Sequence, residues 1–311
     1  MCLLASAAVF LDTLGVSTQP TWTAQAARLL YAHELIPARV RWWLAARGML
    51  DWFRMLERGL QSHLGTSTRS VLARAAGRLF ETRYGVLCTL HPRLAGDNSP
   101  ARLMAALYRM KPGDRRSWIF GDVWSASYVE LARGQLLIRK LSAHERWAEV
   151  TVHLGELLIV LTNQLPEHLP HARKIVGDIC FESGKHFAER TRRVFGMPST
   201  SANAPKDAIE ILRMSEYIFR VNPEHWDQAD PQTNSGFLEG TACPWFSRPG
   251  WDRVHCGIFG QFQAGISAAF GLRYQLSQTI PKHGGHTCRI DLKPLITLRT
   301  SALRTSKGVS V

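Results

Sequence analysis

The chain contains few cysteines for its length. Six cysteines are spread over 311 residues, at positions 2, 88, 180, 243, 256 and 288. That density is too low for a disulfide scaffold of the secreted type. The apolar start of the chain, Met1 to Leu11, has no basic residue before it and does not match an export signal. We therefore expect a cytoplasmic protein whose thiols are reduced.

Long hydrophobic runs and phosphate-binding loops are also missing. The apolar stretch from Leu157 to Leu161, like the run at the start of the chain, is far too short to cross a membrane. We therefore predict no membrane span. No glycine-rich loop follows a predicted strand, which argues against nucleotide binding of the Rossmann or P-loop type.

Acidic residues are outnumbered by basic ones. The chain has 25 Asp and Glu against 38 Lys and Arg, which gives a formal net charge of +13. Such a surface can attract nucleic acid, anionic lipid or an anionic substrate. The basic residues are spread along the whole chain, without zinc-finger spacing or a base-reading helix. We predict a generally basic surface and no specific nucleic-acid partner; nucleic-acid association, which would depend on salt, stays an alternative.

Hydrophobic residues make up 45% of the chain, enough for a substantial core. The pattern predicts helices from Thr21 to Leu64 and near Val71–Tyr84, and a strand at Gln135–Lys140. Apolar residues recur at spacings of three and four along the first helix. They are Trp42, Ala45, Ala46, Met49, Trp52, Phe53, Leu56 and Leu60. We interpret this face as core, with docking on a membrane or a partner as the alternative.

The helical pattern sharpens at Ser142, which forms a capping-box signature with Glu145. A stripe of apolar residues follows, and Pro166 ends the helix. A second helix is predicted from Pro170 to Phe195, with Gly196 as its stop.

The remaining pattern mixes short helices and strands. The predicted elements are a helix at Lys206–Met214, strands at Glu216–Val221 and Gly236–Ala242, a helix at Asp252–Phe270, and strands at Arg273–Ile280 and Thr287–Leu292. This order predicts an α+β fold in which an antiparallel sheet packs against helices. We expect a mostly helical N-terminal region of unknown role at 1–141, an α+β domain at 142–293, and a flexible basic tail at 294–311.

Three cysteines and three histidines cluster in the C-terminal part of the chain. They are Cys243, Cys256 and Cys288 with His255, His283 and His286. Thiolate and imidazole are the ligands that Zn²⁺ prefers. Zn²⁺ is therefore the predicted cofactor if the cluster binds a metal. The alternative is that the three cysteines are buried free thiols acting as small hydrophobic residues.

A reactive thiol is a further interpretation of the same cluster. His255 is adjacent to Cys256 in sequence, but neighbours on a helix point in different directions. A base from the turn between His283 and His286 is the better candidate partner. Glu239 lies four residues before Cys243, on the same predicted strand face, and could act as a base or an orienting group. A solvated glutamate is the alternative.

Two weaker groups complete the candidates. Glu182, Lys185, His186 and Glu189 lie on neighbouring turns of a helix, and we interpret them as a solvated ion-pair face rather than a site. His225 and Asp227 are predicted to lie in a loop and are weak candidates for a site.

At these residues the chain resembles a known family. Three features carry the resemblance: Cys243-Pro244, His255-Cys256, and the run Gly285-His-Thr-Cys288-Arg-Ile290. They look like the L-2-amino-thiazoline-4-carboxylate hydrolase family, which is itself similar to ligand-binding domains of the 4-vinyl reductase type. The helix Cys180-Phe-Glu-Ser-Gly184 resembles a glycine-bearing helix of the latter. The resemblance covers residues 170–293.

The resemblance implies a zinc site in which Cys256 and Cys288 are ligands. Its zinc-bearing relatives also use an acidic residue and a cysteine on the penultimate strand, where this chain has Ser277 and Ile280. His283 or His286 could substitute for the missing ligands. His286 also replaces the acidic residue that usually follows the glycine of the last turn.

Two functions follow from the resemblance. The first is hydrolysis of a C–N bond in a small amidine- or thiazoline-like molecule. For this function we assign Cys243, His255 and Glu239 as catalytic residues from the residue pattern, and Cys256, Cys288, His286 and His283 as metal ligands. The second is a non-catalytic sensor or carrier that binds a small aromatic or hydrophobic ligand. The predicted partner is a small molecule in either case, and a homodimer is left open.

Overall fold

A computed structural model describes residues 28, 37–72, 74–75, 128–132, 135–139, 142–198, 201–219, 224–241, 243–280 and 286–295. These residues contain the helices α1 (Ala38–Leu64), α2 (Ala143–Gln164), α3 (Ala172–Val194), α4 (Ala204–Phe219) and α5 (Arg253–Ala268). Short 3-10 turns follow α1 at Gly65–Ser67 and α2 at Leu165–Glu167.

The strands form two antiparallel sheets. The strands are β1 (Tyr128–Ala132), β2 (Gln135–Arg139), β3 (His225–Asp230), β4 (Ser235–Thr241), β5 (Leu272–Gln278) and β6 (Thr287–Pro294). Strands β1 and β2 pair with each other, and the larger sheet has the order β3-β4-β6-β5. Helices therefore pack with an antiparallel sheet, and the predicted α+β class is confirmed.

Helix α2 begins as its sequence predicts. The Ser142 hydroxyl accepts a hydrogen bond from the Glu145 backbone N–H at 3.3 Å, and the Glu145 carboxylate accepts one from the Ser142 N–H at 2.8 Å. This reciprocal pair satisfies two N–H groups that the helix itself leaves unpaired. The Trp147 indole, one turn later, is buried and donates to the Ile218 carbonyl oxygen at 2.6 Å. The cap fixes the start of α2, and the Trp147 hydrogen bond joins this first part of the helix to α4.

Helices α3 and α5 cross at two glycines. A Cβ placed on Gly184 would fall well inside 3.0 Å of the Phe262 carbonyl oxygen, and one on Gly265 would meet the Phe181 carbonyl oxygen in the same way. The two backbones are therefore in direct contact, without side chains between them. This close approach is the reason that glycine occupies both positions.

In each strand of the larger sheet, successive side chains point to opposite faces of the sheet. Leu238 of β4 pairs with Ile290 of β6, and both side chains are buried on the face that packs against the helices. Cys288 is two residues before Ile290 and therefore lies on the same face. Its cross-strand neighbour is Gly240, whose own neighbour on β3 is His225. The row from His225 to Cys288 thus faces the helical layer.

The sequence pattern predicts the first strand of the C-terminal part at Glu216–Val221. This prediction is wrong, because α4 continues to Phe219. The β-branched and aromatic residues there favour a strand locally, whereas burial on the helix outweighs that preference. The first strand is instead His225–Asp230, where the sequence pattern predicts a loop. The predicted strands at Gly236–Ala242, Arg273–Ile280 and Thr287–Leu292 are confirmed within a few residues.

Helix α1 shares its core with the rest of the molecule. Leu56 and Leu60 are fully buried in one cluster with Leu157 of α2 and Val176 of α3. The interpretation of this face as core is confirmed for these residues, while the side chains of Trp42, Ala46, Met49 and Phe53 lie outside the described part. The predicted helix at Val71–Tyr84 is described only at residues 71–72 and 74–75, which are helical. The domain boundary at 141 stays a prediction.

Candidate functional site

The thiols of Cys243, Cys256 and Cys288 come together between α5 and the sheet. Each is partly buried, and Cys243 is close enough to Cys256 and Cys288 that ionisation of either thiol would raise the pKa of Cys243. Burial raises the pKa of Cys243 to about 12 and that of Cys288 to about 11, and it also raises the pKa of Cys256. The Cys288 sulfur accepts a weak hydrogen bond from the Ile280 N–H at 3.5 Å. All three thiols are therefore protonated at neutral pH.

His255 is part of the cap of α5. Its Nδ1 accepts a hydrogen bond from the Asp252 N–H at 3.1 Å, and the Asp252 carboxylate accepts bonds from the first turn. Its Nε2 lies 2.9 Å from the Thr162 hydroxyl, which itself donates to the Leu158 carbonyl oxygen. Nδ1 also lies 2.9 Å from an Asp252 carboxylate oxygen, so the ring contacts α2 through one nitrogen and its own helix cap through the other.

The surroundings of His255 favour a neutral ring. The ring is buried and stacks on Trp251 at 5.2 Å, and burial lowers the pKa of His255 despite the opposing effect of Asp252. The Nε2 contact with Thr162 joins α5 to α2, while Nδ1 bonds within the cap of α5. The catalytic role predicted for His255 stays a prediction, and its contacts favour a structural one.

Glu239 lies on the outer face of the sheet. Its carboxylate accepts a hydrogen bond from the Thr287 hydroxyl at 2.7 Å and lies 3.6 Å from the Arg289 guanidinium. Cys288, between those two residues on β6, faces the helices instead. Strand β4 ends at Thr241, so the alternation that predicts a shared face for Glu239 and Cys243 does not extend to the cysteine. The structure therefore separates Glu239 from Cys288 by the thickness of the sheet.

The zinc prediction concerns residues that are only partly described. His283 lies outside the described residues, and His286 is exposed directly before β6. Within the described ranges, no group of three or more His, Cys, Asp and Glu side chains is arranged to hold a metal ion. The three thiols, as placed, do not form a ligand set by themselves, and zinc stays a prediction.

A buried polar chain lies beside the thiols, and sequence reasoning missed most of it. The Tyr274 hydroxyl donates to Gln263 Oε1 at 2.9 Å, and Gln263 Nε2 donates to Glu216 Oε1 at 2.6 Å. The other carboxylate oxygen of Glu216 lies 2.9 Å from His225 Nε2. The side chains of Glu216 and His225 are 1% and 0% exposed. Burial, followed by the Glu216 charge, raises the pKa of Tyr274 well above its usual value, so that the phenol stays a donor.

These hydrogen-bonded side chains come from four secondary-structure elements, which explains why the sequence pattern did not predict that they meet. Glu216 belongs to α4, His225 to β3, Gln263 to α5 and Tyr274 to β5. Only His225 was a candidate, and it was predicted to lie in a loop. The available signal was a glutamate at an inward position of the apolar pattern of α4. That signal becomes visible only when the helix is known to continue past Met214.

A second candidate site is an apolar cavity of about 260 Å³ among the helices. Its walls come from α1, α2, α3, α4 and α5, together with Phe195 directly after α3. The lining residues are Leu44, Gly48, Asp51, Trp52, Met55, Leu154, Cys180, Ser183, His186, Phe187, Arg190, Thr191, Val194, Phe195, Met214, Ile218, Phe219, Phe259 and Phe262. Aromatic and aliphatic side chains form most of this surface, as in pockets that bind small organic molecules.

Polar groups within the cavity wall are few and engaged. The Ser183 hydroxyl donates to the Ile179 carbonyl oxygen at 2.8 Å and contacts the Met55 sulfur at 3.1 Å. Burial raises the pKa of Cys180 to about 12, so this thiol is also protonated. Charged side chains lie at the solvent side, where Arg190 is 43% exposed and Asp51 35%. The cavity therefore has an apolar interior and a charged mouth.

The predicted ion-pair face of α3 contributes to that mouth. Lys185 lies 3.4 Å from Glu182, and His186 lies 3.8 Å from Glu189, all on the exposed side of the helix. Their interpretation as a solvated face is confirmed by these contacts. His186 also borders the cavity, which the helical spacing did not predict.

Comparison of the chain with protein-family models, curated proteins and solved structures finds no match. The resemblance to the thiazoline-carboxylate hydrolases and to 4-vinyl reductase type domains therefore stays a prediction. Among the helices in the described part of the chain, none is long and apolar enough to cross a membrane.

Proposed function

We propose that this protein binds a small hydrophobic or aromatic molecule in the apolar cavity between α1, α3, α4 and α5. The single observation that supports this function most directly is the cavity itself, about 260 Å³ of space bounded by apolar side chains. It corresponds to the sensor or carrier function expected from the sequence, although the cavity lies among the helices rather than at the cysteine cluster.

The size of the cavity gives a physical reason for a ligand. An apolar molecule that enters from the mouth near Arg190 buries its own surface and that of the cavity wall, at about 25 cal/mol per Å² removed from water. Contacts with Trp52, Phe187 and Phe262 would supply much of this burial.

Blocking the cavity tests the proposal. Ser183→Leu places a larger apolar side chain in the cavity wall at a position where leucine suits the helix. Decanamide, a neutral molecule with an apolar chain, is titrated into the natural protein and the variant by calorimetry. We expect binding with a negative heat-capacity change in the natural protein and at least about tenfold weaker binding in the variant.

Asp178→Leu is the matched control, because it adds the same side chain to an exposed position of α3. We expect this variant to bind decanamide as the natural protein does. If Ser183→Leu does not fold, Met55→Trp fills the same cavity from α1. Equal binding by the natural protein and by a folded, blocked variant would contradict the proposal.

The hydrolase activity expected from the resemblance is a separate prediction. It requires a thiolate or a metal-activated water. Burial disfavours the first route, because it keeps the thiols of Cys243 and Cys288 protonated at neutral pH when no metal is bound. Turnover of amidine and thiazoline substrates by the natural protein, lost in Cys256→Ala and Cys288→Ala, would support it. The geometry favours ligand binding over this chemistry.

A further inference from the structure

One hydroxyl oxygen in the wall of the cavity is a buried hydrogen-bond acceptor. It belongs to Ser183 of α3, which lines the cavity and is 4% exposed. The single hydrogen of this hydroxyl is used, because it is donated to the Ile179 carbonyl oxygen at 2.8 Å. The Met55 sulfur, 3.1 Å away, carries no hydrogen to donate in return. Within the described part of the chain, the lone pairs of Ser183 Oγ therefore remain open to a donor.

This acceptor lies away from the charged mouth. Ser183 is seven residues before Arg190 on α3, which places it about 10 Å further along the helix axis. Water satisfies polar groups at the mouth, whereas a buried acceptor depends on a partner within the molecule or on the ligand. A donor carried by the ligand would satisfy Ser183 Oγ, and the bond is stronger in these apolar surroundings than in water.

A ligand that donates and does not accept suits this part of the wall. The Ser183 hydrogen is donated to Ile179, and the Trp52 indole is hydrogen-bonded to the Cys180 thiol. An acceptor on the ligand would have to break one of these bonds to obtain a donor. A ring N–H of the indole type donates one hydrogen bond and accepts none, so it brings no lone pair that needs a partner. An alcohol brings two lone pairs together with its hydrogen.

The rest of the wall favours a flat aromatic ring system. Phe187, Phe259 and Phe262 line the cavity, and the ring of Phe262 lies 5.5 Å from that of Phe187 and 6.2 Å from that of Phe259. Aromatic rings attract one another in edge-to-face and offset arrangements. A cavity of about 150 Å³ accommodates benzene, so a cavity of about 260 Å³ suits two fused rings.

We propose that the ligand is a neutral, fused-ring aromatic molecule whose ring N–H donates a hydrogen bond to Ser183 Oγ. This inference rests on the proposed function and names its ligand class. Burial of the rings provides most of the affinity, and the directional N–H bond fixes their orientation in the cavity.

Three molecules of nearly equal shape test this hydrogen bond. Indole carries the N–H group, benzofuran has an oxygen in its place, and indene has a methylene group there. Each is titrated by calorimetry into the natural protein, Ser183→Ala, Ser267→Ala and Thr191→Val. Ser267 is the matched control, because it is buried and donates to the Gln263 carbonyl oxygen of its own helix but does not line the cavity. Thr191 is the other residue of the lining that carries a hydroxyl.

We expect Ser183→Ala to weaken indole binding about tenfold, because the buried N–H loses its acceptor. Benzofuran and indene should bind the natural protein and this variant with affinities within about twofold of each other. Ser267→Ala and Thr191→Val should leave the affinity for indole unchanged. If Ser183→Ala does not fold, Ser183→Cys replaces the hydroxyl by a weaker acceptor, and a loss confined to indole is again expected.

The outcomes separate this inference from the proposed function. If Ser183→Ala leaves indole binding unchanged or weakens all three molecules equally, the hydrogen bond is excluded while the cavity remains a ligand site. An equal loss of indole affinity in Ser267→Ala or Thr191→Val also overturns the inference, as does a loss confined to benzofuran, which would make Ser183 the donor. Binding of decanamide without any of the three ring molecules overturns the aromatic class. If decanamide does not bind either, the proposed function itself fails.

Discussion

Cys180 shows how burial determines the chemistry of a single residue. The thiol is 1% exposed, in the apolar cluster that contains Leu157 and Val176, and it borders the cavity. Burial raises its pKa to about 12, and a hydrogen bond with Trp52 opposes this effect only in part. A nucleophilic thiol needs the opposite surroundings, a nearby cation or a helix N-terminus that lowers the pKa. Cys180 therefore acts as a small apolar residue.

Stability at alkaline pH tests this assignment. Because the folded-state pKa of Cys180 is raised above 9.0, its contribution to stability is fully present below about pH 9 and is lost as pH rises toward 12. We expect the difference in unfolding free energy between the natural protein and Cys180→Ala to be constant below about pH 9. Above it, the difference should fall by up to about 1.4 kcal/mol per pH unit.

Urea unfolding from about pH 8 to about pH 10 measures this difference. The substitution itself changes the stability at every pH, so only the slope of the difference is informative. Parallel curves for the two proteins across this range would show that the Cys180 thiol ionises as readily in the folded protein as in the unfolded chain.

At the scale of the element, the crossing of α3 and α5 sets the spacing of the helical layer. Contact through Gly184 and Gly265 brings Phe262 close to Phe187, with ring centroids 5.5 Å apart. Both rings line the cavity. The crossing therefore fixes one wall of the proposed ligand site as well as the core. A side chain at either glycine would separate the helices.

Alanine substitutions at the crossing should be strongly destabilising. Gly184→Ala and Gly265→Ala each place a Cβ against a backbone carbonyl that cannot move aside, so we expect losses of at least about 3 kcal/mol in unfolding free energy. Gly257→Ala is the control on α5, because its Cβ would meet nothing within 4 Å. That variant should gain up to about 1 kcal/mol from helix propensity.

Thermal and urea unfolding followed by circular dichroism measure both effects. Losses below about 1 kcal/mol at Gly184 and Gly265 would mean that the helices separate easily, and the close crossing would then be incorrect.

At the scale of the whole molecule, the buried polar chain joins the helical layer to the sheet. Glu216 on α4 accepts hydrogen bonds that lead to β5 through Gln263 and to β3 through His225. These groups are withdrawn from water, so each depends on its partner. Apolar contacts hold the two layers together but are not directional. The hydrogen bonds of this buried polar chain are directional, and they fix the orientation of the sheet relative to α4 and α5.

Removing the central carboxylate should destabilise the molecule as a whole. Glu216→Ala leaves Gln263 Nε2 and His225 Nε2 buried without their acceptor, and we expect a loss of about 3–5 kcal/mol in unfolding free energy. Asp178→Ala, which breaks an exposed pair with Lys174, should change the unfolding free energy by less than about 1 kcal/mol. Guanidinium unfolding compares the two variants, and equal effects would show that the Glu216 chain contributes no more than a surface pair.

Local signals in the sequence were sufficient for several elements. The cap at Ser142, the apolar stripe of α2 and the strand pattern of β6 depend on residues a few positions apart in the chain. The stability of these elements depends largely on residues that are close in sequence. The spacing of apolar residues, typical of a helix or of a strand, therefore identifies them. The α+β class follows from the order of such elements, and it was predicted from the sequence alone.

Other features were decided by tertiary contacts. Strand β3 pairs with β4, and the end of α4 is stabilised by burial rather than by local preference, so their positions depend on partners distant in sequence. The cysteines were predicted to cluster, but whether Cys243 shares a face with Glu239 depended on where β4 ends. The cavity and the Glu216 chain were not predicted, because a void and a buried hydrogen bond are properties of several packed elements together. Sequence therefore determined which segments form helices and strands, while packing decided which side chains meet and where space for a ligand remains.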